Sequence, residues 1–218
     1  MSNEALFVLS ALIDILFILV AARRGTTWLY GTIILNLVLV TIFGAKLITV
    51  FGLATNAGNV FYACVFLATH FILERHGRQE GVKTVLFGVG LMVLFTLMAQ
   101  LATAFSESVP GDVAVMSFPL RITFASILAY VFAQRINIAV YDWLKRRTHG
   151  KLLWLRSNGA NIVGQLADSL LFFSIAFLDL PGSVLVQAIL AGWLLKSLVV
   201  LAGTPFLYLD TYLARKKV

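Results

Sequence analysis

Apolar segments long enough to cross a bilayer follow one another along almost the whole chain. A transmembrane helix needs roughly 20 apolar residues, because the hydrocarbon core is about 30 Å thick and a helix rises about 1.5 Å per residue. Such runs, bounded by polar clusters, cover residues 5–22, 28–52, 58–73, 84–105, 113–140, 162–180 and 184–208. They predict an all-α, polytopic transmembrane helix bundle with no soluble domain.

The number of spans is six or seven, and the distribution of charge favours seven. The third run is short and the last contains Pro205, which leaves six open. Lys and Arg accumulate in short cytoplasmic loops, and 13 of the 17 basic residues lie in alternate connections or at the C-terminus. The N-terminal leader and the other connections carry none. This distribution predicts seven crossings, an N-terminus outside and a C-terminus in the cytoplasm.

Composition excludes several classes of protein. Only 12% of the 218 residues are charged, about half the share in soluble domains, so the chain cannot build a water-facing surface. The net charge of +7 is typical of cytoplasmic loops beside anionic lipids rather than of nucleic-acid binding. Cys64 is the single cysteine and forms no intrachain disulfide. The acidic leader before Ala5 does not resemble a cleavable signal peptide.

Catalytic and metal-binding motifs are absent from the sequence. It contains no HExxH, no CxxC and no serine in a GxSxG setting. Residues 77–84 resemble a phosphate-binding loop only faintly, because the second glycine does not directly precede the lysine and no strand comes before it. The histidines at 70, 76 and 149 are too dispersed for a metal site. The sequence therefore predicts a protein that is not an enzyme and uses no cofactor.

Polar side chains inside the predicted spans are the candidate functional residues, because each is costly in hydrocarbon unless it meets a partner or a wet cavity. Those near mid-depth by helix rise are Asp14, Asn36, His70, Asp168 and Lys196. Lys46 and Arg121 fall about two helical turns below the outer surface. We expect Arg121 to pair with a carboxylate or to cap backbone carbonyls there. Structural pairing of Lys196 with Asp14 or Asp168 is an alternative to a functional role.

Three predicted helices carry polar stripes. On the sixth, Asn161, Gln165 and Asp168 are spaced i, i+4, i+7 and therefore share one face. The stripe on the fifth consists of Tyr130, Gln134, Asn137 and Tyr141. The stripe on the third consists of Asn59, His70 and Glu74. A bundle that turns these lines inward would enclose a polar cavity.

Each stripe also has a structural interpretation. Amides and tyrosines in membrane helices often serve only as interhelical hydrogen bonds, which stays open for Asn36 and Tyr141. His70 on an otherwise apolar face fits a packing residue better than a metal ligand. For Asp168 with Gln165 the functional interpretation is favoured, since two polar groups one turn apart are expensive as mere packing.

Two blocks of residues in fixed order carry a family resemblance. The first comprises ATNAGNVFY at 54–62, FLATH at 66–70 and ERHG at 74–77. The second comprises PLRI at 119–122, AS at 125–126, Gln134, LLWLRSN at 152–158, QLAD at 165–168 and FF at 172–173. In these blocks the chain resembles the YhhQ-type queuosine precursor transporter family, and the similarity extends from about residue 44 to 177.

The resemblance implies import of a 7-deazaguanine base, 7-cyano-7-deazaguanine or its aminomethyl relative, across the bacterial inner membrane. It implies an architecture similar to the vitamin-binding subunits of energy-coupling-factor transporters, working without the ATPase module. The site residues that it carries over are Asn59, Glu74, Arg121, Gln134, Gln165 and Asp168. The chain departs from the family at His70, where aspartate is typical, and at Asn137, where an acidic residue is frequent.

The residues and the resemblance together give one set of candidates for substrate binding. They are Asp168, Gln165, Glu74, Asn59, Gln134, Arg121, His70, Asn161 and Tyr130. A guanine-like base offers two adjacent donors to a carboxylate and a carbonyl to an amide, so Asp168 and Gln165 suit it, with Glu74 as the competing carboxylate. Rings that would stack on such a base are those of Tyr62, Phe66, Tyr130 and Phe172.

Three functions follow as hypotheses. The first is a secondary transporter or facilitator for a 7-deazapurine, with the lipid bilayer as its surroundings and no nucleic acid as a partner. The second is the substrate-binding subunit of a multi-component vitamin or nucleobase uptake system. The third is a membrane scaffold with no transported solute. Association with further copies of the chain stays open.

Overall fold

The computed structural model describes residues 1–44, 46–103, 120–179 and 181–215. The elements in this part of the chain are α1 (Asn3–Arg24), α2 (Thr26–Phe43), β1 (Leu47–Val50), β2 (Leu53–Asn56), α3 (Asn59–Thr103), α4 (Leu120–Arg147), α5 (Leu153–Ala176) and α6 (Gly182–Arg215). Each of the six helices is long and apolar enough to cross a bilayer. The prediction of a helical membrane bundle without a soluble domain is confirmed.

Helix α3 consists of two membrane-length arms joined at Gly77. Its 45 residues would extend about 67 Å as one straight helix, roughly twice the thickness of the hydrocarbon core. Gly77 instead has φ 79° and ψ −176°, a backbone conformation that glycine adopts without the steric penalty of a side chain. The arms, residues 59–76 and 78–103, correspond to the predicted third and fourth segments.

Contacts with α2 show that these two arms run in opposite directions. Phe43 at the end of α2 packs against Phe61, with ring centroids 6.1 Å apart. Thr26 at the start of α2 lies 2.9 Å from His76, at the other end of the first arm. The second arm returns beside α2 and lines a groove with it at residues 91–95. The described part of the bundle therefore has seven helical segments.

The second apolar run ends as a β-hairpin rather than as helix. Helix α2 stops at Phe43 instead of Gly52, and β1 pairs antiparallel with β2 from Leu47↔Asn56 to Val50↔Leu53. The β-branched residues of β1 favour an extended chain, and Gly52, with φ 74°, provides the turn. A short apolar run does not distinguish strand from helix, which is why the predicted boundary was wrong.

The hairpin packs against the N-terminal end of α1. Asn3 Nδ2 donates to the Thr49 carbonyl at 3.0 Å, and the Phe51 N–H donates to Glu4 Oε1 at 3.2 Å. Lys46 lies just before β1 and is exposed. The prediction that Lys46 lies about two helical turns below the outer surface was therefore wrong, because it depended on the helix continuing past Phe43.

Helices α4 and α5 extend further at one end than the apolar runs predict. Helix α4 continues to Arg147 rather than residue 140, and α5 begins at Leu153 rather than residue 162. The extra turns are polar, but much of that polarity faces neighbouring helices, so hydropathy alone does not include them. The sequence Val-Pro-Gly-Asp at 109–112 predicts a tight turn, and it lies outside the described residues.

The first arm of α3 is the central helix of the bundle. Every residue from 62 to 73 is buried, as expected for a helix that is apolar or small on nearly all sides. The outer helices expose apolar side chains instead, such as Leu12 and Ile13 of α1, which are 44% and 60% accessible. These surfaces match a lipid environment rather than water.

Candidate functional site

A buried ion pair lies at the middle of the bundle and joins three helices. Lys196 Nζ of α6 lies 2.5 Å from Asp168 Oδ2 of α5. The hydroxyl of Tyr62, on the first arm of α3, donates to Asp168 Oδ1 at 2.5 Å. The Lys196 and Asp168 side chains are only 2% and 8% exposed. Of the two partners considered for Lys196, the structure therefore selects Asp168 over Asp14.

The Lys196 charge is also close to an aromatic face. Its Nζ lies 5.2 Å from the ring centroid of Tyr62, within the range of a cation–π contact. The ammonium group therefore has one carboxylate and one ring as its recorded neighbours. The ammonium group offsets part of the cost of holding the Asp168 carboxylate at a depth where an isolated charge is unfavourable.

Two amides beside this ion pair have no recorded hydrogen-bond partner. Asn161 and Gln165 are 1% and 0% exposed, and neither the N nor the O atom of either amide bonds to any group that the structure describes. Both lie on the face of α5 that carries Asp168, so the predicted polar stripe is buried as a unit. A buried polar group without a partner costs about 1–3 kcal/mol. These amides are the groups best placed to meet a polar solute.

Tyr130 of α4 adjoins the same region through its ring. The ring centroid lies 6.3 Å from that of Tyr62, in an edge-on arrangement. Its hydroxyl is buried, has no recorded partner, and lies against Gly88 of the second arm of α3, where an added Cβ would come within 2.8 Å of it. Tyr130 thus offers the site an aromatic edge.

A second polar network lies on the first arm of α3, between Tyr62 and Glu74. His70 Nδ1 lies 2.9 Å from Ser157 Oγ, and His70 Nε2 lies 3.0 Å from Asn137 Oδ1. Asn137 Nδ2 donates to Gln134 Oε1 at 3.3 Å, and Gln134 Nε2 is 3.5 Å from Thr69 Oγ1. Both ring nitrogens of His70 therefore have partners, as the packing interpretation predicts.

The two positions at which the resemblance implies acidic residues contact each other. His70 and Asn137 are joined by the hydrogen bond just described. Their contact could not be seen in the sequence, because 67 residues separate them.

Glu74 lies near the end of the first arm of α3, in a cluster of cations. Arg156 Nη2 lies 2.7 Å from Glu74 Oε1, and Arg156 Nε lies 3.2 Å from Glu74 Oε2. Lys145 Nζ lies 3.4 Å from Oε2, and the Tyr141 hydroxyl donates to it at 2.9 Å. Glu74 is therefore engaged by the protein on both oxygens, unlike the amides at mid-depth.

A cleft opens beside this cluster at the same end of the bundle. It has a volume of about 380 Å³ and is lined by Glu74 and Arg156 together with residues 150–153 and 208–212. Its walls join the start of α5 to the end of α6. The cleft thus lies beside the first turn of α5, which carries Arg156.

Asn59 and Arg121 lie towards the opposite end. Asn59 Nδ2 donates to Thr55 Oγ1 of β2 at 2.6 Å. Arg121 Nε donates to the Ile175 carbonyl at 2.8 Å, and its Nη1 pairs with Asp179 at 2.9 Å. The prediction that Arg121 binds a carboxylate or backbone carbonyls is confirmed in both forms. With 41% of its side chain exposed, Arg121 lies at the surface of the bundle rather than in its interior.

The structure thus divides the predicted site residues by depth. Asp168, Gln165 and Asn161 form one cluster at mid-depth, with Tyr130 beside it. His70 and Gln134 belong to the adjoining network. Glu74 lies at the end of the bundle that holds Lys145 and Arg156. Asn59 and Arg121 lie towards the opposite end. Lys196 and Tyr62 were missing from the predicted set, although a lysine near the midplane is itself a signal of a functional or paired site.

A bundle of seven helical segments that holds an ion pair and unpartnered amides at mid-depth has the architecture of a polytopic solute transporter. Residues 56–209 match the family described as "Putative vitamin uptake transporter". The chain belongs to that family.

Relatives with similar sequences are known from several bacteria. The "Probable queuosine precursor transporter" of Bacillus subtilis (strain 168) is 29% identical over 95% of this chain and 94% of its own length. The "Queuosine precursor transporter" of Escherichia coli (strain K12) is 25% identical over 64% of this chain and 63% of its own. No solved structure matches the chain significantly.

Proposed function

We propose that this chain imports a 7-deazaguanine precursor of queuosine across the bacterial inner membrane, without chemical change to the solute. Two relatives named as queuosine precursor transporters support the substrate class, and one of them aligns over 95% of the chain. The observation that carries the proposal is the pair of buried, unpartnered amides, Asn161 and Gln165, on the face of α5 that carries Asp168 and its ion pair with Lys196.

The edge of a guanine-like base fits these groups. Its ring N–H and exocyclic amine are adjacent donors, and its carbonyl is an acceptor. A carboxylate has about four lone-pair positions, so Asp168 can accept from both donors while keeping Tyr62 and Lys196. The Nε2 of Gln165 and the Nδ2 of Asn161 then donate to the carbonyl, which satisfies the two buried amide nitrogens. Lys196 and Tyr62 hold the carboxylate in place.

Binding and uptake by the purified protein test the proposal. A panel of purines and 7-deazapurines is titrated against the protein, and uptake of the tightest ligand is followed in liposomes that contain only this chain. Uptake in that system supports a transporter. Binding without uptake, with an ATPase that co-purifies from cells, would instead indicate a substrate-binding subunit. Failure of every member of the panel to bind would remove the proposed substrate and favour a scaffold.

Replacing the unpartnered amides by leucine should separate affinity from stability. We expect Gln165→Leu and Asn161→Leu each to weaken binding of the deazaguanine by about 5- to 150-fold, the equivalent of about 1–3 kcal/mol for a lost buried hydrogen bond. Thermal stability without ligand should stay the same or rise, because the protein gives up an unsatisfied polar group. Calorimetric titration and thermal unfolding measure the two effects.

Asn158, on the same helix, provides the matched control. Its amide donates to the Trp154 carbonyl at 2.9 Å and accepts from Thr204 at 3.1 Å. Asn158→Leu should therefore lower stability and leave affinity within about twofold. If Gln165→Leu behaved like Asn158→Leu, the mid-depth amides would be structural and the proposed binding site would be wrong.

The orientation with the N-terminus outside is part of the proposal, and the contacts of the basic residues support it. Arg75 bonds to the Ala22 carbonyl at the end of α1 and pairs with Asp210 near the end of α6. Lys145 and Arg156 meet at Glu74 on the same first arm of α3. The basic clusters therefore share one end of the bundle, which the excess of Lys and Arg assigns to the cytoplasm.

Reporter fusions check this orientation. Fusions after Arg24, Gly77 and Lys151 should all report a cytoplasmic position, and one near Asp112 should report an external position. The fusion after Gly77 is the most informative, since it reads the turn between the two arms of α3. A cytoplasmic signal near Asp112 would contradict the proposed map.

A further inference from the structure

Asp14 is a carboxyl group at mid-depth with no basic partner. It lies eleven residues into α1 from Asn3, about 16 Å along the helix. Asn36 Nδ2 of α2 donates to its Oδ1 at 3.1 Å, while its Oδ2 is buried and has no recorded partner. Its position continues the inward face of α1 that buries Phe7, Ala11 and Ile18.

The other acidic residues in the described ranges show how unusual this is. Those that form a salt bridge are Glu74, Glu80, Asp142, Asp168, Asp179 and Asp210. Glu4 has no such partner, but it lies at the exposed end of α1 and accepts the Phe51 N–H. Among the described residues, only Asp14 combines mid-depth with the absence of a cation. An ionised carboxylate at that depth is unfavourable by at least about 2.5 kcal/mol.

We propose that Asp14 is a proton-binding site that couples solute uptake to the proton gradient, an inference that rests on the proposed import function. Asp14 takes up a proton from the outer side and becomes a neutral carboxylic acid, whose O–H replaces the missing partner. In the inward-facing state it releases that proton to the cytoplasm and returns to the carboxylate. One proton therefore crosses with each solute, and no bond in the solute changes.

The first arm of α3 connects this carboxyl group to the solute site. Cys64 of that arm lies beside Asp14, and Tyr62, two residues earlier, donates to Asp168 at 2.5 Å. One turn of the central helix therefore contacts both carboxyl groups. A shift of this turn when Asp14 loses its proton is transmitted directly to the Tyr62–Asp168 contact.

The titratable groups around Asp14 leave the proton on the carboxyl group. Helix α1 packs against α2, α3, α6 and β1. Cys64 of α3 faces Asp14 but is a neutral thiol. Tyr30 of α2 bonds to Glu80, and strand β1, with sequence LITV, has no titratable residue. On α6, Lys196 is engaged by Asp168 and Asp210 by Arg75.

Proteoliposomes with an imposed pH gradient test the coupling. For one proton per solute, an outside that is more acidic by about one pH unit should support about tenfold accumulation of 7-cyano-7-deazaguanine, since each unit equals about 1.4 kcal/mol. Asp14→Asn keeps the shape and the contact with Asn36 but cannot bind the proton. It should bind the base with unchanged affinity, exchange it across the membrane, and reach an accumulation ratio of about one.

The outcomes distinguish this inference from the proposed function. The proton site would be overturned if Asp14→Asn still accumulated the base under a pH gradient. It would also be overturned if the unchanged protein accumulated the base under a sodium gradient at constant pH instead. Absence of binding by the unchanged protein would mean that the import function itself is wrong. In that case infrared difference spectra still decide the proton site, because a protonated carboxyl band at neutral pH should be present in the unchanged protein and missing in Asp14→Asn.

Discussion

Replacing Asp168 by asparagine should abolish import and destabilise the protein at the same time. The change removes the acceptor for the two donors of the base, and we expect affinity to fall by about 100-fold or more. It also leaves Lys196 buried without its carboxylate, and breaking a buried ion pair costs about 3–5 kcal/mol. Queuosine in the tRNA of cells unable to make the base measures import, and membrane accumulation measures stability.

A double variant separates the two effects. Asp168→Asn with Lys196→Met removes both charges, and replacing a buried ion pair by apolar groups is often neutral or stabilising. Accumulation in the membrane should therefore recover, while binding and import stay lost. The sequence alone predicts near-normal accumulation for Asp168→Asn, and the contact with Lys196 changes that expectation. A double variant that bound the base as tightly as the unchanged protein would show that Asp168 is not a ligand residue.

Replacing Glu74 by alanine should have the second large effect, on stability rather than on recognition. Arg156 is 3% exposed in its side chain and makes a bidentate contact with Glu74. Without the carboxylate its charge is buried and unpaired, which should lower the free energy of unfolding by about 3–5 kcal/mol. The Glu74→Ala protein that remains folded should bind the base with an affinity that changes by less than about threefold. The reason is that Glu74 lies at the opposite end of the first arm of α3 from Tyr62, which contacts Asp168.

Glu80 is the matched control on the same helix. It pairs with Lys83 at 3.2 Å near the surface, with the Lys83 side chain 69% exposed. Surface pairs of this kind contribute about 0–1 kcal/mol, and the hydrogen bond that Glu80 accepts from Tyr30 contributes about 1 kcal/mol, so Glu80→Ala should lower the free energy of unfolding by clearly less than Glu74→Ala does. If Glu74→Ala were equally mild in stability but abolished binding, Glu74 would be the ligand carboxylate in place of Asp168.

The polarity of the chain along its length determined much of the architecture. Long apolar runs set the number of helical segments, and the one-sided basic clusters indicated which ends meet. The spacing of Asn161, Gln165 and Asp168 was sufficient to place them on one buried face, because helical periodicity fixes which residues align. The expected contacts of Arg121 followed from the cost of an unpaired guanidinium in the bilayer.

Partner choice was decided only by the tertiary structure. Both Asp14 and Asp168 were candidates for Lys196, and their depths by helix rise are too similar to separate them. The structure joins Lys196 to Asp168 and leaves Asp14 without a cation. Depth along a helix depends on residue number, whereas contact depends on rotation and on which helices are neighbours, and neither is encoded locally.

The same reason explains the remaining differences. The apolar run past Phe43 had no local feature strong enough to separate strand from helix, and its pairing with residues 53–56 created the hairpin. The added residues at the start of α5 include Arg156, Asn158 and Asn161, which lower the hydropathy of that stretch, yet Arg156 is buried there because Glu74 lies opposite. Sequence determines which groups must avoid lipid, and the packing of the helices determines which group satisfies each one.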